Sequence, residues 1–408
     1  MNFIFISPHF PDNYWRFCRG LKNNNVNVLG IDDVPLEQLQ IDVRENLTDY
    51  ICVSNLKNYD EKKRAVQTFI KRYGKIDYVE SNNEFWMYDD AKLRTEFHIH
   101  TGPDNEQIKS FRHKSVMKKY YKDAGVKVVD WCMADSVSVC LTFIAKYGYP
   151  VIVKPDDGVG SADTHKISSD AELYNFFFKK NKDTQYIMEQ FIEGELISFD
   201  GVCDSQGNVV FPTYHVFPLP EIKNDVTYED VIYFTSKTIP KDLLDAGQRI
   251  LKAFKASSRF YHLEFFRLTK NQPNIGNKGE LFGLEVNMRV PGGYTPDMID
   301  FAYSVNIYNI WADVIVYDKN LQVINLPRYF CAYTGRRFNK EYTNSWNAIL
   351  TKYKDQICYC NNNPSVLADG LGDYFFMAKF NTLEEVKSFF DYTLSSPTEI
   401  KYNQSLLK

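Results

Sequence analysis

Two short segments, residues 262–266 and 282–289, carry polar side chains of the types that bind metal ions and phosphates. Successive side chains of a β-strand point to opposite faces, so alternating apolar and polar residues give each segment a core face and a polar face. The polar connection over 269–280 suits a hairpin, which would bring the two polar faces together. The shared face would carry five residues: His262, Glu264, Glu285, Asn287 and Arg289.

Oxygen donors dominate this set, and their chemistry suits magnesium. Mg²⁺ is commonly bound by one or two carboxylates together with substrate phosphates, as Glu264, Glu285 and Asn287 would allow. Arg289 would add a forked positive charge for a phosphate or a carboxylate. For any one of these residues a solvated strand charge is the simpler interpretation. For the whole set it is the weaker one, because charges rarely lie amid apolar runs without a partner.

A second phosphate-binding feature lies at the end of the apolar segment 151–154. Lys154 ends that segment, and a loop containing Gly158, Gly160 and Ser161 follows at once. Glycines let backbone N–H groups approach a phosphate closely, while the lysine supplies a point charge. The residue order of a Walker loop is missing, so two interpretations stay open: a simple turn, and a lid between two strands that folds over a triphosphate.

The elements that position these residues can be predicted from periodicity. Residues 1 to about 105 alternate short apolar runs with helical patterns, which predicts βαβ units and a parallel sheet. Gly-x-Gly-x-x-Gly does not follow the first strand, so a nicotinamide cofactor is disfavoured. Residues 111–123 predict a basic helix with a solvated face, closed by Gly125. After about residue 330 the pattern predicts a smaller unit with a strand over 374–380 and a helix over 383–392.

Composition limits the class of protein. The 408 residues are 44% hydrophobic and 25% charged, as in a soluble globular protein of two or three domains. A net charge of −4 argues against nucleic acid as the main partner. The amino terminus lacks a signal-peptide pattern and no apolar run reaches 18 residues, so we expect a cytoplasmic protein without a membrane partner. The eight cysteines are scattered, and the close pair Cys358 and Cys360 predicts free thiols rather than metal ligands.

The order of these motifs along the chain resembles the ATP-grasp superfamily. The resemblance is strongest to its carboxylate–amine ligases and biotin carboxylase-like branch, L-amino acid ligases included, and covers about residues 110–300. It implies an α/β fold with a Rossmann-like domain over 1–105 and a two-lobed ATP-grasp domain over 106–330 with antiparallel sheets. The lid lobe would cover about 125–190, and a small α+β unit would follow over 331–408.

The resemblance also implies roles for individual residues. ATP would be bound with one or two Mg²⁺ ions, or with Mn²⁺, through the ligands Glu264, Glu285 and Asn287. Arg289 would steady the acyl phosphate. The nucleotide would be held by the lysines, the mobile lid, the adenine hinge and the ribose acid: Lys114, Lys154, Gly158, Gly160, Ser161, Glu189, Gln190, Phe191, Ile192 and Glu195.

Substrate residues are harder to predict. The resemblance favours Gly292 and Gly293 as the border of the acceptor site, although they could simply turn the chain. Arg336 is a candidate carboxylate anchor, although exposed arginines are the commoner case. For His9 and His262 packing is a better interpretation than proton transfer, because a lone histidine is not a site.

The sequence therefore predicts an enzyme that activates a small carboxylate, such as an amino acid, as an acyl phosphate and joins it to an amine. One alternative keeps the ATP chemistry but changes the acceptor to bicarbonate, a nucleotide-biosynthesis intermediate or a thiol. Another is a non-catalytic, nucleotide-binding regulatory protein. Many similar ligases are dimers, and an aromatic content of 15% is compatible with a homodimer.

Overall fold

The computed structural model describes residues 1–158, 163–218 and 230–397. Within these ranges the chain forms a parallel sheet followed by two antiparallel sheets, all flanked by helices. The predicted α/β class, parallel at the amino terminus and antiparallel in the region after it, is confirmed.

The first 96 residues build the parallel sheet. Its elements are β1 (Asn2–Ile6), α1 (Trp15–Asn23), β2 (Asn27–Asp32), α2 (Ile41–Glu45), β3 (Asp49–Cys52), α3 (Tyr59–Tyr73), β4 (Tyr78–Glu80) and α4 (Met87–Glu96). The strand order is β3-β2-β1-β4. Strand β1 is an unbroken apolar run because both of its faces are buried: Phe3 and Phe5 pack towards α1, and Ile4 and Ile6 pack towards α3.

The next segment builds a four-stranded antiparallel sheet. Its elements are α5 (Gln107–Arg112), α6 (Lys114–Asp123), β5 (Trp131–Met133), α7 (Val137–Tyr147), β6 (Val151–Pro155), β7 (His165–Ile167), α8 (Asp170–Lys179) and β8 (Tyr186–Gln190), with strand order β5-β8-β6-β7. The single helix predicted over 111–123 is instead two helices. They are separated at His113, whose backbone is extended with φ −88° and ψ 115°.

The remaining strands form one eight-stranded sheet. Its elements are β9 (Gly194–Cys203), β10 (Val209–Phe217), β11 (Val231–Thr235), α9 (Lys241–Ala253), β12 (Arg259–Leu268), β13 (Leu281–Asn287), α10 (Thr295–Tyr303), α11 (Ile307–Tyr317), β14 (Phe330–Arg336), α12 (Trp346–Lys352), β15 (Ile357–Asn362), α13 (Ser365–Leu371), β16 (Tyr374–Phe380) and α14 (Leu383–Leu394). The strand order is β13-β12-β9-β10-β11-β14-β16-β15. Strands β14 to β16, from the segment predicted as a separate carboxy-terminal unit, therefore complete this sheet.

This sheet has two differently covered faces. One, here called the α9 face, packs its apolar side chains against α6, α9 and α14. The other, here called the α10 face, packs against α1, α10 and α11 through residues such as Val202, Phe260 and Tyr333. Polar residues of β9, β10, β12 and β13 also lie on the α10 face, and they form the candidate site.

Helix α6 is set against β13 at Gly283. A Cβ at this position would overlap the ring of Tyr121, which is fully buried on α6. This close approach determines the separation between α6, which carries two site lysines, and the strand that carries Glu285 and Asn287.

We therefore expect Gly283→Ala to lower the free energy of unfolding by about 1–3 kcal/mol, the usual cost of an overpacked core. Urea unfolding followed by tryptophan fluorescence measures the change. Gly370→Ala is the matched control, because Gly370 lies in α13 and nothing approaches within 4 Å of an added Cβ. Equal stability of Gly283→Ala and the parent chain would contradict this account of the helix–strand contact.

Two further expectations concern the whole chain. All eight cysteines are free thiols, including Cys358 and Cys360, the pair for which the sequence predicted this. Among the residues that the structure describes, no helix is both long and apolar enough to cross a bilayer.

Candidate functional site

The β12–β13 hairpin brings the predicted oxygen donors together. In its antiparallel register Glu264 lies opposite Glu285 and His262 lies opposite Asn287, so all four side chains share the α10 face. Glu285 and Asn287 are 8% and 5% exposed. A register irregularity directly after Glu264 separates this polar end of the hairpin from the rest of the ladder.

The carboxylates of Glu264 and Glu285 repel each other, and their surroundings shift the two pKa values in opposite directions. Burial raises the pKa of Glu285; Lys114 opposes this shift, and the nearby Glu264 adds to it. Burial also acts to raise the pKa of Glu264, but the hydrogen bond and charge of His262 outweigh it and lower that pKa. Glu285 is therefore a buried carboxylate with too little positive charge around it.

This donor set fits a divalent cation. Two facing carboxylates and an amide offer only oxygen ligands, which magnesium prefers, and a cation would relieve the repulsion between Glu264 and Glu285. Across the described ranges no cluster of three or more His, Cys, Asp and Glu side chains could hold a metal ion. The fit therefore depends on the Glu264–Glu285 pair with Asn287.

Lys114 connects the hairpin to the glycine loop. Its Nζ lies 3.4 Å from Oε1 of Glu285 and donates to the carbonyl of Gly158 at 3.3 Å. Although Lys114 is the first residue of α6, it is only 3% exposed. The solvated basic face predicted for this helix is wrong for Arg112, Lys114 and Lys118, all of which are buried because this side of α5 and α6 faces other elements.

Lys118, Glu189 and Lys154 form a buried triad. Nζ of Lys118 lies 2.6 Å from Oε1 of Glu189, and Nζ of Lys154 lies 2.8 Å from Oε2. Burial acts to raise the pKa of Glu189, yet the two lysines lower it to about 2. Burial lowers the pKa of Lys118, so the cost of burying this ammonium offsets part of the stabilisation that the ion pair gives to the Glu189 carboxylate. Two cations around one anion leave the triad with one surplus positive charge.

The depressed pKa of Glu189 has a consequence for acid stability. A carboxylate with a folded-state pKa below its unfolded value stabilises the fold above the unfolded pKa, near 4.5, and loses this contribution as pH falls towards 2. We expect the stability difference between the parent chain and Glu189→Gln to shrink by about 2 kcal/mol between pH 5 and pH 3. Urea unfolding at both pH values measures it, and a difference independent of pH would contradict the assignment.

Arg289 is held by a carboxylate from the segment between β4 and α4. Its Nη2 donates to Oε2 of Glu84 at 2.5 Å, while Nη1 of Arg112 donates to the other oxygen of Glu84 at 2.7 Å. Despite burial, these two arginines lower the pKa of Glu84. Arg112 also donates to Asp157 at 2.8 Å. Through Arg112, Glu84 thus joins Arg289 to the end of α5 and to the segment after β6.

Asp156 fixes the amino terminus of α6. It accepts hydrogen bonds from the backbone N–H of Ser115 at 2.7 Å and from the Ser115 hydroxyl at 3.0 Å, and it contacts Nδ1 of His113 at 3.0 Å. Because Asp156 is two residues after Lys154, this contact sets Lys114 and Lys154 side by side. A carboxylate near the first turn also suits the positive end of the helix.

Three buried polar residues, His262, Asp200 and His215, form a hydrogen-bonded chain that ends at Glu264. Nε2 of His262 lies 3.0 Å from Oε1 of Glu264, and its Nδ1 is paired with Asp200. Asp200 also contacts Nδ1 of His215 at 2.6 Å. Burial opposes the charge on His262, but Asp200 and Glu264 outweigh it and raise the pKa of this imidazole to about 10. His262 is therefore positively charged, and in this form it orients the carboxylate of Glu264. His9 lies elsewhere, paired with Asp32 at the edge of the parallel sheet.

The predicted adenine hinge, residues 189–192, starts within strand β8 and continues past its end. Backbone and side chain of Gln190 bond to Asp130, and Ile192 packs in a small apolar cluster. Phe191 lies under the ammonium of Lys166 at 4.2 Å. Glu195 pairs in register with Arg267, and burial raises its pKa. Ser198 pairs with Glu264 and therefore lies on the α10 face. Glu195 is three residues before Ser198 in the same strand, and because side chains alternate along a strand, Glu195 lies on the opposite α9 face.

Arg336 is not brought to the site. It pairs with Tyr374 on the α9 face, while Glu264 and Glu285 lie on the α10 face, and its guanidinium stacks over Tyr342 at 3.5 Å. The alternative, an ordinary exposed arginine, is wrong, because Arg336 is 2% exposed. Gly292 and Gly293 do follow Arg289 as a turn, with Gly293 at φ +60°. Gly160 and Ser161 lie outside the described residues.

Sequence reasoning missed four of the residues that the site contains. They are Glu84, Arg112, Lys118 and Asp156. A signal existed for two of them: Lys118 is one helical turn after Lys114, and Asp156 is two residues after Lys154. Glu84 and Arg112 contact residues more than 25 positions away in the chain, which a local pattern does not reveal.

Comparison with known proteins finds a family match over the part of the chain that contains most of the site residues. The family model described as "ATP-grasp domain" matches residues 147–295. The L-arginine-specific L-amino acid ligase of Bacillus subtilis is 26% identical over 270 residues, which cover 64% of this chain and 63% of the relative. D-alanine–D-alanine ligase B of Clostridium perfringens is 29% identical over 122 residues, covering 29% of this chain and 36% of the relative. The matched parts thus span less than two thirds of either relative.

Similarity of structure extends along nearly the whole chain. The crystal structure of the L-amino acid ligase from Bacillus licheniformis superimposes with a TM-score of 0.68, covering 96% of this chain and 97% of that one. Sequence identity over this superposition is 14%, so the similarity concerns the fold. It includes the parallel amino-terminal sheet and the strands after residue 330, both of which lie outside the match to the family model.

Proposed function

We propose that this chain, whose residues 147–295 match the ATP-grasp domain, is an ATP-dependent carboxylate–amine ligase. It would activate a small carboxylate, such as an amino acid or a related metabolite, as an acyl phosphate. An amine would then form the amide, with release of ADP and phosphate.

One observation supports this proposal above the others: the convergence of cations on a carboxylate pair of which Glu285 is buried and Glu264 is partly buried. Lys114 contacts Glu285 directly, and Lys154 also acts on the charge of Glu285. The positive charge of Arg289 acts to lower the pKa of Glu264. A site with this distribution suits a triphosphate bound through a divalent cation, because each charge then gains a partner of opposite sign.

The chemistry requires charge neutralisation more than a covalent nucleophile. A carboxylate is a poor electrophile at neutral pH, whereas an acyl phosphate has a good leaving group. In the first step a carboxylate oxygen of the substrate attacks the γ-phosphorus and ADP departs. In the second step the amine nitrogen attacks the acyl carbon, phosphate departs, and the nitrogen loses a proton.

Each step has residues that serve it. Lys114 and Lys154 would hold the phosphates and offset their charge. Arg289 would turn its guanidinium from Glu84 towards the acyl phosphate. Glu264, Glu285 and Asn287 would hold magnesium, which would supply positive charge to neutralise the transferred phosphoryl group. The loop that begins at Gly158 would exclude water, which otherwise hydrolyses an acyl phosphate.

The experiment measures Mg²⁺-dependent ADP release across a panel of amino acids, other small carboxylates and amines, singly and in pairs. Mass spectrometry then identifies the product of every positive reaction. The proposal predicts ADP release that requires a pair and yields the mass of an amide. ADP release with bicarbonate or a thiol as the second component would instead support the alternative acceptors. Bound ATP without turnover in any combination would support a regulatory binding protein.

A further inference from the structure

A cavity lies beside the turn that follows Arg289. Its volume is about 350 Å³, and it is enclosed by the start of α1, the start of α10 and strand β15. Tyr294 forms one wall, directly after Gly293. Asn13, on the opposite wall, donates from Nδ2 to the carbonyl of Gly293 at 3.3 Å. The cavity therefore opens next to the turn that leads away from the candidate site.

Charges of both signs line this cavity. Asp12 accepts a hydrogen bond from the hydroxyl of Tyr294 at 3.1 Å. Arg16 approaches Asp297 at 3.6 Å, a distance too long for a hydrogen bond, and 36% of its side chain is exposed. Oδ2 of Asp297 accepts from Asn13 at 2.7 Å and from the hydroxyl of Tyr308 at 3.0 Å, while Oδ1 faces Nε of Arg16. Because Arg16 faces Asp297 through Nε, the two terminal nitrogens of its guanidinium are available for another anion.

Two buried polar atoms of residues that line the cavity, Oδ1 of Asn13 and Nε of Arg16, have no hydrogen-bond partner. Oδ1 of Asn13 accepts no hydrogen bond, although the residue is only 5% exposed. A buried acceptor without a donor is costly, and a ligand that supplies an N–H would remove this cost. Aromatic rings of Trp15, Phe301 and Tyr359 form the remaining walls.

We propose that this cavity binds the α-amino acid that supplies the amine. Its carboxylate pairs with Arg16, its amino group donates to Asp12 and to Oδ1 of Asn13, and its side chain lies among the aromatic rings. This inference rests on the proposed function. An acid that is to be phosphorylated must leave its carboxylate free for the metal site, so an amino acid whose carboxylate is held by Arg16 reacts through nitrogen.

Arg16→Met is the test variant, and Arg19→Met is its matched control. Both arginines lie on α1 and stack on the ring of Trp15, at 5.1 Å and 4.6 Å, but only Arg16 lines the cavity. Each of the twenty proteinogenic amino acids is titrated by calorimetry into the parent chain and both variants. We expect at least one amino acid to bind the parent chain and to bind Arg16→Met about tenfold or more weakly. Arg19→Met should stay within about twofold of the parent chain.

Two results would overturn the inference: no amino acid binds the parent chain, or Arg16→Met binds as tightly as Arg19→Met. With the substrate pair identified, Arg16→Met should also raise KM for the amine-side amino acid and leave KM for ATP and for the carboxylate substrate unchanged. An amide-forming enzyme whose KM values are all unaffected by Arg16→Met overturns this inference alone. Amino-acid binding that depends on Arg16, without amide formation from any pair, overturns the proposed function alone.

Discussion

Replacing Glu285 with Gln is expected to lower Mg²⁺-dependent ADP formation on the order of 10²–10³-fold while the chain stays folded. The substitution removes one of the two carboxylates proposed to bind magnesium and keeps the size of the side chain. Because burial already disfavours the charge of Glu285, the neutral amide should cost the fold little. Turnover at saturating substrates and the melting temperature measure the two effects.

Glu280→Gln is the matched control for this substitution. Glu280 directly precedes the same hairpin strand and lies at its turn, where it pairs with Lys127 at 2.7 Å. Its loss should change turnover less than about twofold, since surface ion pairs contribute little. Normal turnover by Glu285→Gln with Mg²⁺ and ATP would contradict the proposed metal site.

Lys118→Met is expected to weaken ADP binding on the order of tenfold, although Lys118 lies outside the motifs recognised in the sequence. The lysine supplies the surplus positive charge of the triad with Glu189 and Lys154. Without it, Glu189 neutralises Lys154, and the nucleotide must compete with that carboxylate. Calorimetry with Mg²⁺ and ADP measures the affinity, and Lys119→Met, on the exposed side of α6, is the control.

A second substitution separates charge balance from structural support. The double variant Lys118→Met with Glu189→Gln removes the cation and the anion together and leaves Lys154 free to hold a phosphate. Its ADP affinity should return to within about threefold of the parent chain. If the double variant binds ADP no better than Lys118→Met alone, the lysine acts through packing and the charge argument fails.

The parts of the fold that follow from local patterns could be predicted from the sequence. Strict alternation defined the polar face of the hairpin, and its ladder does bring Glu264, Glu285 and Asn287 together. Alternating strands and helices predicted the parallel sheet in the same way. These features depend on neighbouring residues, so a single sequence contains enough information for them.

Other features depend on what packs against an element, and the sequence alone does not determine this. Helix α6 has basic residues on two sides; only packing against β8 and β13 shows that Lys118 is buried and Lys119 is exposed. Arg336 was a reasonable anchor by residue type, but the register of β14 with β16 turns it to the α9 face. Glu84 reaches Arg289 across 205 positions, a contact that no local spacing reveals.

The central claim is that a substrate carboxylate is activated as an acyl phosphate, and oxygen transfer tests it most directly. The carboxylate substrate identified by the product assay is labelled with ¹⁸O in both carboxylate oxygens, and the inorganic phosphate released with the amide is analysed by mass spectrometry. The account predicts one ¹⁸O atom in the phosphate for each amide formed, because the oxygen that attacks the γ-phosphorus leaves with it. Amide formation with unlabelled phosphate would contradict the account.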